Sequence, residues 1–172
     1  LNYTDTDAIR ERIVIVEEML DKEKQEEMAV TEKILTVDEI AELSKNILLE
    51  PSIFDMVAAI AEKRQKEALD MYHDLLTLKE PPMGILALIA RQFNLMLQVK
   101  ELQQKGMGGR QIADKVGLAP FIVQKYERQA SRFKMRELKE ALSACVEADE
   151  AVKSGRLNDV LSIELLIIEQ SR

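Results

Sequence analysis

The chain has 172 residues, 47% of them hydrophobic, enough to bury the core of one ordinary domain or two small ones and unlike a disordered chain. Only 4% are aromatic, Trp is absent and Gly and Pro are few, a mixture that favours helices over strands and predicts an all-α protein. The net charge of −7 argues against general nucleic-acid binding, the single Cys145 excludes an internal disulfide framework, and no apolar run approaches the ~20 residues of a membrane span.

The opening "LNYTDTDAIRER" is acidic where a signal peptide would be basic and then apolar, so a cytoplasmic protein without a membrane partner is expected. A start at Leu1 is what a piece cut from a longer protein would have. From Asp7, the spacing of Ile9, Ile13, Val16 and Leu20 predicts an amphipathic helix, and "DKEKQEE" a solvated connector. "LTVDEIAELSKN" reads as a short helix capped by Thr36, with Glu39 three residues on. Pro51 and Ser52 read as the start of another, with Ile53, Val57 and Ile60 on one side, so a boundary between two packing units is expected near residue 50.

"RQKEALDMYHDLLTLKE" continues the helical pattern through Ala68, Met71, Tyr72, Leu75 and Leu76 until "PP" stops it. The longest helix is predicted over Pro82–Lys105. Its apolar positions, from Ile85 to Leu97, cover most of the circumference, so it must be covered on several sides, by its own domain or by another subunit. "KGMGG" ends it, two short helices follow at about 109–116 and 119–131, and a long one at about 135–153. Gly155 interrupts, and Asn158 is a candidate cap for the last helix.

Catalysis has little to stand on. "KGMGGRQ" lacks both the spacing and the Lys-Ser/Thr end of a phosphate loop, so ATP hydrolysis is not expected. His73 is the only histidine, and Asp70 and Asp74 nearby do not complete a metal set; a boundary histidine capped by a carboxylate is the better reading. Cys145 lies on an apolar stripe with Leu138, Ala141 and Leu142, as a buried inert thiol would. No cofactor or metal is expected.

Charge is segregated. Residues 1–50 carry 6 basic and 14 acidic side chains, whereas residues 105–136 carry 8 basic and 2 acidic. Within the basic part, Ala113, Gly117 and Val123 recur at helix-turn-helix spacing, which raises a DNA-binding regulator using residues 109–132 as an alternative function. A sequence reader needs polar side chains in the first turn of its second helix, and "APFI" supplies none. Lys125, Arg128 and Arg132 follow as a stripe able to meet phosphates or an acidic partner, contacts that position without specifying sequence. The bland alternative is a tight helix crossing with a solvated basic face.

The order of "ILALIARQF", "GLAPFIVQK", "EADEAVKSG" and the closing "ELLII" resembles the C-terminal part of the delta-subunit family of the bacterial DNA polymerase III clamp loader, over residues 50–172. Residues 1–49 resemble the family's small helical lid, although "DKEKQEEMAVTEK" is longer and more acidic than the pattern. The resemblance implies an all-helical collar domain at 50–172 that joins tau/gamma-type ATPase subunits and delta-prime in a ring. It implies a non-catalytic role in opening and loading the sliding clamp, with the clamp held by an N-terminal AAA+-like domain upstream of Leu1. DNA contact would be non-specific. Arg91, Gln92 and Phe93, which interrupt the apolar run, are the candidate subunit-interface residues, with a wholly intramolecular role for Phe93 as the alternative.

Overall fold

In a computed structural model, the backbone is described for residues 37–172 and the side chains for residues 49–172. Seven helices and no strand occur among the described residues: α1 Val37–Ala61, α2 Gln65–Thr77, α3 Pro82–Gln104, α4 Gly109–Val116, α5 Pro120–Ala130, α6 Met135–Lys153 and α7 Asp159–Gln170. The helix expected from Asp7 and the Thr36 cap lie outside the described residues.

The boundaries from α2 onward follow local chemistry. Pro82 and Pro120 open α3 and α5, where a missing amide costs nothing. Asn158 caps α7, its Oδ1 accepting from the Leu161 amide at 2.8 Å. Gly117 closes α4 in the left-handed region, φ 70°, so that the amides of Gly117 and Leu118 both reach the Ala113 carbonyl. Lys63 and Lys79 close α1 and α2 in the same conformation, φ 60° and 62°, without a glycine's freedom.

At Pro51 the expectation fails. A break was predicted there, yet α1 runs unbroken from Val37 to Ala61 with Pro51 inside it. Proline removes one backbone bond, but Leu49, Ile53, Met56, Val57 and Ile60 are buried on the rest of the helix and hold it in place. The residue-50 boundary therefore does not coincide with a helix end.

The helices enclose one core, with α3 at its centre. α3 packs against α1, α4, α5, α6 and α7, while α2 closes the side between α1 and α7. Six consecutive residues, Gln92 to Leu97, are buried, so the middle of α3 is covered all round. By length and composition alone α3 would also suffice to cross a membrane. Since 61% of its most apolar window lies inside the protein, it is the core helix of this fold.

Candidate assembly and docking surfaces

The covering of α3 decides what its three candidate residues can do. Phe93 is fully buried and meets Phe133 edge to face, ring centroids 5.8 Å apart, so it has no surface to offer another subunit. Its place in the interface reading is corrected: it is core. Gln92 is 4% exposed and shares a hydrogen bond with the Tyr126 side chain, so it too faces inward. Arg91 alone reaches the edge. Its Nη1 pairs with Glu50 Oε1 at 2.8 Å, and along its side of the helix Gly84, Ala87 and Leu88 are exposed or half-buried at steps of three and four. This row, in the first half of α3, is one part of the central helix that is not fully covered, with Leu88 also packed against the core.

Around Gln92, side chains of α1, α3 and α5 form a polar seam in the core. Gln129 Nε2 donates to the Phe54 carbonyl at 3.0 Å, and Phe54 meets Tyr126 edge to face at 5.7 Å. Burial pushes the Tyr126 phenol up, against the Gln92 hydrogen bond and the Arg91 charge. Sequence periodicity could not reveal this seam, because its members come from three helices.

The helix-turn-helix spacing is realised as packing. Ala113 and Val123 are buried where α4 and α5 cross, with Gly117 in the turn between them. The first turn of α5 presents Pro120 and Phe121, and Phe121 is 65% exposed. Lys125, Arg128 and Arg132 are all exposed, as their spacing predicts. They are not equivalent: Arg132 pairs with Glu62, which also holds Arg64, and Arg128 Nε donates back to the Gln124 carbonyl at 3.3 Å. On α7, Leu161 and Leu165 sit one turn apart, a half-exposed apolar pair that the sequence reading missed.

His73 is capped by a carboxylate as expected, but by Glu164 of α7 at 2.6 Å rather than by Asp70 or Asp74. Cys145 is buried, and burial pushes its thiol up to about 12, which removes the thiolate a nucleophile or ligand would need. Among the described residues no three His, Cys, Asp or Glu side chains gather as a metal site.

The described residues thus form an all-helical module with a single core. The family described as DNA polymerase III delta subunit, C-terminal domain, matches residues 50–170, and the chain belongs to that family. It is 33% identical over 135 residues to the DNA polymerase III subunit delta of Bacillus subtilis, covering 78% of this chain and 39% of that protein. The solved Bacillus subtilis DNA clamp loader delta protein is similar in structure, with a TM-score of 0.68 and 33% identity over 72% of this chain and 36% of that one. The chain thus spans about two fifths of the length of its curated relative.

Proposed function

We propose that this chain is the assembly part of a clamp-loader delta subunit: residues 50–172 act as a collar that joins tau/gamma-type ATPase subunits and delta-prime, and residues 1–49 as a lid preceding it. The likeness to the solved clamp loader delta protein of Bacillus subtilis, at 33% identity, is the observation that carries this reading. The family match beginning at residue 50 supports the lid and collar division, even though α1 continues through that point. In this reading the parent protein opens the sliding clamp through an AAA+-like domain outside this sequence and is not itself an ATPase, and the protein works in the cytoplasm.

Within the collar, the Gly84, Ala87, Leu88 and Arg91 edge of α3 is the contact we assign to a neighbouring subunit. Small residues at helical spacing let another helix approach closely, and Leu88 adds apolar area. Leu88→Asp should therefore abolish co-elution with the ATPase and delta-prime subunits on size exclusion, and because Leu88 also packs against the core, circular dichroism of the variant must first show that it is folded. Co-elution undiminished by Leu88→Asp would move the contact elsewhere on the collar, and persistent separate elution of the unaltered full-length protein would remove the assembly role.

A further inference from the structure

We propose that the outward face of α7 seats the amphipathic helix expected over residues 7–20 of the same chain, antiparallel to α7. α7 buries Ser162, Ile163, Leu166 and Ile167 on its inner side, yet Leu161 and Leu165 are 39% and 38% exposed and Ile168 is half-buried. At about 100° per residue, Leu161, Leu165 and Ile168 lie within about 60° of one another, opposite the buried side. An apolar stripe on the side of a helix turned away from its core calls for another element to cover it.

The sequence supplies a matching stripe. Ile9, Ile13 and Val16 are spaced by four and three residues, as are Leu161, Leu165 and Ile168, and Leu20 adds a further position. With the two helices antiparallel, Ile9 falls beside Ile168, Val16 beside Leu161, and Leu20 beside the half-buried Leu157 that precedes α7.

Charge selects this direction. Antiparallel seating puts Arg10 on the side of the exposed Glu169 and Arg12 on the side of Glu164, which already holds His73 at 2.6 Å. Glu17 then lies by the start of α7, the positive end of its dipole, and Asp21 by the exposed Arg156. Parallel seating would bring Glu17 level with Glu169 and Arg10 to the first turn of α7.

The connection is long enough. α1 and α7 finish side by side, Lys63 just past α1 donating to the Gln170 carbonyl at 3.2 Å, and α2 runs antiparallel to both. With 25 residues against 12, α1 begins about 20 Å beyond the start of α7. Residues 21–36 can span up to about 50 Å, so they can return Leu20 to that point. A second copy fits this face less well: a two-fold pairing of α7 with α7 would bring the two Glu164 side chains together at its centre. Three half-exposed side chains also fall far short of the ~800 Å² a side that a stable complex buries. A segment of the same chain needs less area, because its effective concentration is high. The proposal concerns contacts within this chain and does not rest on the clamp-loader reading.

The test is hydrogen–deuterium exchange of the 172-residue chain, read by mass spectrometry over peptides spanning residues 7–20. Exchange there should be roughly 10-fold slower or more in the parent than in a variant carrying Leu161→Glu and Leu165→Glu, with α3 and α6 exchanging alike in both. Arg10→Glu should speed exchange of the segment a few-fold, and Glu169→Arg added to it should restore the protection. Equal exchange of residues 7–20 in the parent and the leucine variant would overturn the proposal. So would protection that rises with protein concentration, the sign of a second copy, or a charge swap that restores nothing. Loss of co-elution with clamp-loader subunits by the leucine variant, without change at residues 7–20, would give the face to a neighbouring subunit instead.

Discussion

Arg91 Nη1 lies 2.8 Å from Glu50 Oε1, tying the middle of the central helix to α1, and the two partners sit in different media: the Arg91 side chain is 13% exposed and that of Glu50 48%. Withdrawing the carboxylate strands a largely buried cation, which costs more than the pair itself contributes. Glu50→Gln should lower unfolding free energy by about 1–2 kcal/mol, read from the urea midpoint, with the slope unchanged. An equal midpoint would mean that water alone suffices for Arg91.

Phe93 separates a core role from an interface role. Phe93→Ala should cost about 3–5 kcal/mol, because its ring and that of Phe133 are packed together in the core. Phe93→Leu should fold and assemble normally. Loss of assembly by Phe93→Leu at unchanged stability would contradict its placement.

Two of the left-handed positions among the described residues predict opposite signs. Nothing lies within 4 Å of a Cβ added at Gly117, so Gly117→Ala meets only backbone strain at φ 70° and should destabilise by about 1–2 kcal/mol. Lys79 already bears that strain at φ 62° on an exposed turn, so Lys79→Gly should stabilise by roughly 0.5–1 kcal/mol. Thermal melts of the two variants should bracket the parent.

Alkali should unfold the protein early. Burial pushes Cys145 from 9.0 to about 12, Tyr72 is raised by burial and then by Glu164 and Asp159, and Tyr126 is raised by burial. Folded, these groups hold their protons above the ordinary values of 9.0 and 10.0; unfolded, they release them. The unfolded state then binds fewer protons, so stability is intact below pH about 9 and falls as pH rises beyond it. Cys145→Ala should flatten the first part of that fall, and a thiol reagent should react with Cys145 only in denaturant.

Most helix ends were legible because their signals are local: Pro82 and Pro120 at starts, Asn158 as a cap, Gly106, Gly117 and Gly155 at stops. Pro51 misled because its penalty is local while the packing of Ile53, Met56 and Val57 that outweighs it is not. Gln92 misled for the same reason, whereas for Phe93 the core alternative is the one its burial supports. A polar break in an apolar run resembles an interface, but the partners that bury these two, Tyr126 and Phe133, are remote in sequence. The basic row on α5 was legible from spacing alone, whereas the Glu62 that engages Arg132 comes from the α1–α2 turn and left no signal.

The most direct test of the assembly role is sedimentation velocity of the full-length protein containing this sequence, mixed with tau/gamma-type ATPase subunits and delta-prime at micromolar concentration. The account predicts one faster-sedimenting complex of fixed stoichiometry that dissociates when Leu88 is changed to Asp. Independent sedimentation of the unaltered protein at every ratio would contradict it.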